Sequence, residues 1–420
     1  MTVQPAKKCG IKRISIACLP GRGHLYPATA LGRKLVKHGY EVTILSRPIT
    51  RGVVKAANLN FHGLGDPPSE RPTEVGELNL RHNGPNTLTV IYAHADSVLR
   101  QARDILASLA CDCLIVDQAD LASGSVADSL GIPFVNVSFA LPLYLDDEVP
   151  PFIYAWPPKG GESGRIRNKR ANTLLERLIS PTMNLVNEQR KLWNLPLHAH
   201  LNDFFSTKAI ITQLPISLDF PWNVPAHFYH TGLFRDETTR PPVPFPWQRL
   251  GPKPLIYACM GTVRNNLRRT FEVIAEACEF CNAQLVISLG GTGLLPEDLG
   301  SLPGDPIVVH YAPQYELLKR ATLSITHAGL NSTLESLENG VPVIAMPVSD
   351  DQPGVAARVK WHGAGIALPS PPRSRSDLAL YVTEALENAQ YRRRALSLRE
   401  EFIKLNPLQM AIEIIQRTVA

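Results

Sequence analysis

The sequence predicts an α/β protein built from two doubly wound domains, in each of which helices cover both faces of a parallel sheet. Strand patterns alternate with helix patterns in both halves of the chain, as in β-α-β units. The length of 420 residues suits two domains of about 200 residues each. Between the halves, nine prolines fall within residues 215–254, a density that suits neither a helix nor a central strand. This stretch is therefore predicted to be a linker.

The predicted elements follow one another in a regular order. In the first half we predict strands over 12–19, 41–46, 112–117 and 133–139, and helices over 25–38 and through 129–130. In the second half we predict strands over 255–260, 284–289, 307–310, 323–326 and 342–346, and helices over 268–280 and 408–419. The predicted units are an N-terminal domain (1–225), a linker (226–253), a C-terminal domain (254–400) and a C-terminal helix (401–420) that packs back on the N-terminal domain. A ligand is expected in the crevice between the domains.

Composition excludes several classes of protein. Apolar residues make up 44% of the chain and charged residues 19%, as in ordinary globular proteins, and a net charge of +5 without a long basic face argues against nucleic acid. The seven cysteines are an odd, scattered set, and the C-x-x-C of Cys278 and Cys281 has no second pair to complete a zinc site. Neither a signal peptide nor a membrane span is apparent. We expect a cytoplasmic protein with a possible peripheral membrane contact and an undetermined oligomeric state.

The turn after the first strand, LPGRGHLYP, contains a candidate catalytic histidine. Gly21 and Gly23 permit a tight turn, and His24 lies beside a helix N-terminus, whose dipole disfavours the imidazolium and favours a neutral base. A plain strand-to-helix turn and a weak G-x-G dinucleotide fingerprint without its third glycine are the alternatives. Asp117 ends a strand at the same sheet edge and can orient His24. It can equally cap the next helix, and Asp120 competes for both roles.

Two further turns in the second half are rich in glycine. Gly261 and Thr262 follow a strand in ACMGTV, and Gly290, Gly291 and Gly293 follow another in SLGGTG. Either turn can bring backbone N–H groups close to a phosphate. Neither is a P-loop, since no Gly-Lys-Ser/Thr follows, and both also fit ordinary turns.

The stretch THAGLNSTLESLENGVPVIAMPVSDDQ, residues 326–352, carries more polar side chains than a helix start requires. His327 and Gly329 precede a helix predicted from about Asn331, and such a helix N-terminus with a histidine donor suits a diphosphate. Ser332 and Glu335 fit an S-x-x-E capping box. Alternatively, Glu335 can accept hydrogen bonds from a ribose diol.

Asp351 and Gln352 follow the next strand at the same sheet edge, where such a pair can bind sugar hydroxyls. The alternatives are an N-cap for the following helix and a metal pair formed by Asp350 and Asp351. Taken together, these residues indicate a nucleotide sugar as the ligand.

These motifs resemble a known family. YAPQYELL, followed by ATLSITHAGLNSTLESLENGVPVIAMPVSDDQ, resembles the donor-binding signature of the family 1, UDP-sugar-dependent glycosyltransferases over about forty residues. GRGHLYP resembles the N-terminal G-H-x-x-P element of that family. The resemblance implies the GT-B fold, in which two Rossmann-like domains face a crevice. Within the family, DQPGVAARVKWHGAG and LPGRGHLYPATALGRKL are most similar to bacterial zeaxanthin glucosyltransferases.

The resemblance implies a role for each matching residue. Tyr311 stands where plant members have a uracil-stacking Trp, and Leu330 also replaces a plant Trp. The implied roles are the nucleoside for Gln314, the ribose for Glu335, the diphosphate for His327, Gly329, Asn331 and Ser332, and the hexose for Asp351 and Gln352. Gly261, Thr262 and Ala312 are also expected to contact the donor.

The expected activity is inverting transfer of glucose from the co-substrate UDP-glucose to a lipophilic alcohol such as a carotenoid, without a cofactor or a metal. His24 is the expected general base, assisted by Asp117. Acceptor contacts are expected from 65–109 and 141–201. A macrolide, sterol or phenolic acceptor is an alternative. Other enzymes to consider are a UDP-sugar epimerase, which would turn over the donor without an acceptor, and a nicotinamide dehydrogenase, which would bind NAD. A non-catalytic nucleotide-sugar sensor would not need the His24–Asp117 pair.

Overall fold

The computed structural model describes residues 12–65, 87–236, 242–262, 267–291, 293–372 and 374–419. These residues form two parallel sheets flanked by helices, which confirms the predicted GT-B architecture. Within the described residues, no helix is both long and apolar enough to cross a membrane. The six cysteines of these residues are free thiols.

The first sheet has the strand order β3-β2-β1-β4-β5-β6-β7. Chain order reverses between β1 and β4, so the carboxyl ends of these two strands border the switch point where open α/β sheets bind ligands. The strands are β1 (Arg13–Ala17), β2 (Glu41–Ser46), β3 (Asn60–Gly63), β4 (Cys113–Asp117), β5 (Phe134–Ser138), β6 (Ile210–Thr212) and β7 (Phe228–His230). The helices are α1 (Arg22–Lys37), α2 (Arg51–Ala56), α3 (Thr87–Ser108), α4 (Ser123–Leu130) and α5 (Gly161–Leu192).

The second sheet has the order β10-β9-β8-β11-β12-β13 and its own switch point between β8 and β11. Its strands are β8 (Leu255–Cys259), β9 (Gln284–Ser288), β10 (Ile307–Val309), β11 (Leu323–Thr326), β12 (Val343–Ala345) and β13 (Gly365–Ala367). The helices are α6 (Arg268–Phe280), α7 (Pro296–Leu299), α8 (Gln314–Leu318), α9 (Leu330–Glu338), α10 (Gln352–Trp361), α11 (Arg375–Glu387), α12 (Ala389–Phe402) and α13 (Pro407–Val419).

The C-terminal helix α13 packs on the N-terminal domain, as predicted. Its Ile412 and Ile415 are buried in the same apolar core as Leu25 and Leu31 of α1. Burying such side chains contributes about 1.5–3 kcal/mol each, so α13 ties the end of the chain to the first sheet.

Several elements differ from the sequence predictions. The predicted linker, 226–253, contains β7, so the first sheet extends beyond the predicted domain boundary at residue 225. The short strands β3, β6, β7 and β13 were missed because three or four residues give too little alternation to recognise. No helix was predicted at α3 or α5, although both lie in the regions predicted to contact the acceptor. Residues 66–86, which belong to the predicted acceptor region 65–109, lie outside the described residues.

Helix α10 attaches the two domains to each other along one face. The backbone N–H of Gly354 donates to the Phe152 carbonyl at 3.1 Å, and a Cβ on Gly354 would lie 2.3 Å from that oxygen. One turn later, the Arg358 guanidinium donates to the buried carboxylate of Asp219 at 2.8 Å. His230 also contacts this carboxylate, at 3.0 Å. Burial opposes ionisation of Asp219, but Arg358 and His230 outweigh it and hold the pKa of that carboxyl well below its usual range.

Removing Arg358 leaves the Asp219 charge buried without its guanidinium partner. We expect Arg358→Ala to lower the free energy of unfolding by about 3–5 kcal/mol, measured by urea denaturation at neutral pH. The matched control is Arg269→Ala, which removes a 61%-exposed arginine paired with Glu272 at 3.3 Å. That change should lower the free energy of unfolding far less than Arg358→Ala does, because solvent screens an exposed ion pair. Equal losses in the two variants would contradict a structural role for the buried pair.

Candidate active site

His24 and Asp117 meet at the switch point of the first sheet. His24 lies in the first turn of α1, directly after β1, and Asp117 is the last residue of the neighbouring strand β4. The His24 Nδ1 lies 2.6 Å from the Asp117 Oδ2. Because Asp117 holds Nδ1, the proton of the neutral ring resides there, and Nε2 is the atom able to accept a proton.

The Asp117 carboxylate is held in place by the backbone. It is 1% exposed and accepts hydrogen bonds from the N–H groups of Leu19, at 3.2 Å, and Ala119, at 3.1 Å. Asp117 does not cap the next helix, whose N-cap is Ala122, and Asp120 is the residue that accepts from the N–H groups of Ala122 and Ser123 at the start of α4. The helix-cap interpretation of Asp117 is therefore wrong.

The surroundings of His24 raise its pKa above the ordinary value. Burial favours the neutral ring, but the adjacent Asp117 carboxylate and the more distant Asp351 favour the imidazolium more strongly. The helix dipole, on which the prediction of a neutral base rested, acts in the opposite direction. The nearby carboxylates decide the outcome, so His24 is a stronger base than an isolated histidine.

His327 follows β11 at the switch point of the second sheet, and two glycines enclose its ring. A Cβ on Gly261 would lie 2.7 Å from the His327 Nε2, and a Cβ on Gly329 would lie 2.6 Å from it. Burial lowers the pKa of His327 to about 4. The ring is therefore neutral near pH 7, and it can donate one hydrogen bond without carrying a charge.

Helix α9 begins without the predicted capping box. Its N-cap is Gly329, and no side chain caps the first turn. Glu335 is instead 1% exposed and accepts a hydrogen bond from the Gln314 Nε2 at 2.7 Å. The Tyr257 hydroxyl donates in turn to the Gln314 Oε1 at 3.1 Å. The two residues expected to bind the nucleoside and the ribose are thus in direct contact, while Ser332 lies in the first turn of the helix.

Asn331 joins the two domains. Its Nδ2 donates to the Gly23 carbonyl at 2.8 Å and to the Phe139 carbonyl at 3.1 Å, and its Oδ1 accepts from the Gln213 Nε2 at 3.1 Å. These contacts hold the start of α9 against the turn that precedes His24. The Asn331 side-chain amide thus contacts the N-terminal domain, whereas the sequence had predicted only a contact of Asn331 with the diphosphate.

Asp351 and Gln352 lie at the start of α10, after β12. The Asp351 side chain does not cap the helix and accepts instead from the N–H of Leu141, in the N-terminal domain, at 2.9 Å. Burial and the neighbouring Asp350 raise the pKa of Asp351. The Gln352 Oε1 accepts from the N–H groups of Val348 and Ser349, so its remaining polar group is the amide NH2.

The metal alternative gains no support from Asp350, which accepts hydrogen bonds from Thr87 and Ser349. Within the described part of the chain, no group of three or more His, Cys, Asp or Glu side chains could hold a metal ion. Asp350 and Ala328 adopt left-handed φ angles of 59° and 65°, a costly conformation that often marks functional sites.

Arg22 is a site residue that the sequence analysis missed. It comes from the N-terminal domain, and its guanidinium carbon lies 4.9 Å from the centre of the Tyr311 ring. Its Nη1 lies 2.6 Å from the position of a Cβ on Gly291, whose φ of 80° is a conformation that favours glycine. The feature of the sequence that could have indicated Arg22 is its position between the two glycines of GRGH. Next to Tyr311, Ala312 is 3% exposed, and Thr262 is the last described residue before the gap at 263–266.

Comparison with known proteins agrees with this geometry. Residues 213–415 match the family of UDP-glucoronosyl and UDP-glucosyl transferases. The chain is 28% identical to the zeaxanthin glucosyltransferase of Pantoea ananas, covering 95% of this chain and 94% of that protein. It is 29% identical to the zeaxanthin glucosyltransferase of Pseudescherichia vulneris, covering 98% of each chain. The 4'-demethylrebeccamycin synthase of Lentzea aerocolonigenes is 24% identical over 97% of this chain and 99% of its own.

Solved structures share the fold. The glycotransferase of kitacinnamycin superimposes with a TM-score of 0.74 at 20% identity, covering 98% of this chain and 99% of its own. The spinosyn forosaminyltransferase SpnP superimposes with a TM-score of 0.74 at 19% identity, covering 98% of this chain and 100% of its own. The chain therefore contains a family 1 UDP-glycosyltransferase domain within a GT-B fold, and the protein is a glycosyltransferase.

Proposed function

We propose that the protein transfers glucose from UDP-glucose to a hydroxyl group of a lipophilic acceptor, a carotenoid such as zeaxanthin, with inversion at the anomeric carbon. The observation that carries the proposal is the His24–Asp117 pair, at 2.6 Å, in a site completed by the second domain. His24 is close enough to Asp351, the residue expected to bind the hexose, for each group to shift the pKa of the other. The carotenoid is supported by the names of two relatives that match nearly the full chain.

The proposed reaction is a single displacement. The acceptor hydroxyl donates its proton to the His24 Nε2 while its oxygen attacks the anomeric carbon from the face opposite UDP. The bond from that carbon to the diphosphate oxygen breaks, and UDP leaves with the bonding electrons. Asp117 stabilises the imidazolium that forms.

The donor is held by the second domain in this proposal. Tyr311 stacks on uracil, and the hydrogen-bonded pair of Gln314 and Glu335 contacts the nucleoside and the ribose. His327 donates from a neutral ring to the diphosphate, together with the N–H groups at the start of α9, so the developing charge is stabilised without a metal.

The acceptor is assigned to the segment 141–158 of the N-terminal domain. Its Leu143, Leu145 and Phe152 pack against the apolar core beneath α3 and α5. Leu141 begins the segment, and its N–H donates to Asp351. The segment assigned to the acceptor therefore contacts the residue expected to bind the hexose. An acceptor that yields a product like 4'-demethylrebeccamycin, after which the Lentzea aerocolonigenes relative is named, is the second candidate.

The direct test is to incubate the protein with UDP-glucose and separate alcohols, including zeaxanthin, a sterol, a macrolide and a small sugar, and to identify products by mass. We expect a hexosylated carotenoid, formed equally well in EDTA. Conversion of UDP-glucose without an acceptor would indicate an epimerase, and a preference for the small sugar would contradict the lipophilic acceptor.

His24→Ala should lower kcat by roughly 10²–10⁴-fold because it removes the base, while UDP affinity stays nearly unchanged. Kinetics and titration calorimetry measure the two effects. The matched control is His38→Ala at the C-cap of the same helix, an exposed histidine whose Nδ1 contacts the Lys34 carbonyl at 2.9 Å. Normal turnover in His24→Ala would remove this residue from the base role.

Gly329→Ala should displace the His327 ring, because the new Cβ would lie 2.6 Å from its Nε2. We expect UDP to bind roughly 10–100-fold more weakly, as for loss of a hydrogen bond to a charged group. The control Gly52→Ala places a Cβ in open space and should leave UDP affinity unchanged. Unaltered affinity in Gly329→Ala, measured by calorimetry, would show that His327 does not contact the diphosphate.

A further inference from the structure

The outward side of α5 exposes large apolar side chains next to cations. Ile166, Leu174 and Leu178 are 42%, 47% and 47% exposed. They share a line along the helix with the exposed Arg170, since 166, 170, 174 and 178 are spaced by four residues. We call Ile166, Arg170, Leu174, Arg177 and Leu178 the α5 outer face.

Two aromatic rings extend this surface. Tyr154 and Trp156 stack with ring centres 4.0 Å apart, and the Arg167 guanidinium lies 5.0 Å from the Trp156 ring. An open groove of about 400 Å³ separates these rings from Ile166, Arg170 and Leu174. Trp and Tyr favour the boundary between water and lipid because they combine an apolar ring with a polar tip.

The segment that includes this surface carries an excess of positive charge. Residues 159–178 contain six cationic side chains and two carboxylates, whereas the net charge of the whole chain is +5. Glu148 pairs with Arg165 at 2.8 Å. Among the described residues, neither Arg170 nor Arg177 forms an ion pair. A cationic face interspersed with Leu, Ile and Trp is typical of segments that lie on anionic membranes.

We propose that the α5 outer face and the Tyr154–Trp156 stack bind the surface of an anionic lipid bilayer. The segment 141–158 would then lead from the bilayer to the active site, because its far end, Leu141, bonds to Asp351. Entry of the acceptor from the bilayer rests on the proposed lipophilic acceptor, whereas lipid binding itself does not.

Sedimentation with vesicles tests the proposal. We expect the protein to bind vesicles of phosphatidylcholine mixed equally with phosphatidylglycerol, to bind phosphatidylcholine alone much more weakly, and to be released by salt. Arg170→Gln combined with Arg177→Gln should weaken binding to the anionic vesicles by roughly 25-fold, about fivefold per cation. Leu174→Ser should weaken it further through loss of apolar contact.

The control variant, Lys253→Gln combined with Lys404→Gln, makes the same charge change at two exposed lysines of the other half of the chain. It should bind the anionic vesicles like the wild type. Absence of a preference for anionic vesicles, or an equal loss in the control, would overturn the proposal and leave a protein partner as the occupant of this surface.

Activity distinguishes this proposal from the proposed function. The Arg170→Gln/Arg177→Gln variant should bind UDP with the wild-type affinity, since the residues expected to hold the donor belong to the other domain. Vesicle binding by a protein that glucosylates no lipophilic alcohol would contradict the proposed function alone. Carotenoid glucosylation by a protein that ignores anionic vesicles would contradict the membrane surface alone.

Discussion

The buried polar contacts along α10 fix the position of one domain relative to the other, and the site depends on them. The candidate base comes from the first domain, whereas the residues that match the donor signature come from the second. A reaction between the two substrates requires both sets of residues to be held to within about 0.5 Å of the productive geometry. The Asp219–Arg358 pair and the Leu141–Asp351 bond provide that constraint. Asn331 adds a third link, next to His24.

Two histidines in this site have opposite electrostatic environments. The pKa of His24 is raised because carboxylates outweigh the effect of burial, whereas the pKa of His327 is lowered to about 4 because burial dominates. A raised pKa suits a residue that accepts a proton, and a lowered one suits a residue that donates a hydrogen bond while neutral. The fold thus assigns different chemistry to the same side chain through its neighbours.

Local sequence signals predicted the parts of the structure that depend on neighbouring residues. Strand–turn–helix patterns identified β1 with α1 and β11 with α9, and the resulting sheet edges bring His24 next to Asp117. Contacts between distant residues were not predictable. Nothing near Glu335 in the chain indicates that the Gln314 amide donates to its carboxylate. The local pattern therefore fitted a capping box as well as a ligand contact. Arg358 is likewise 139 residues from Asp219, and no local pattern indicates their pairing.

The pH dependence of kcat/KM in the wild type and in Asp117→Asn tests the central claim most directly. The wild-type rate should fall as the pH drops through a pKa above the ordinary histidine value of about 6.5, since only neutral His24 accepts a proton. Asp117→Asn removes the adjacent carboxylate, so the acidic limb should move to lower pH while the plateau rate decreases. An acidic limb at the same pH in both proteins would show that His24, oriented by Asp117, is not the base.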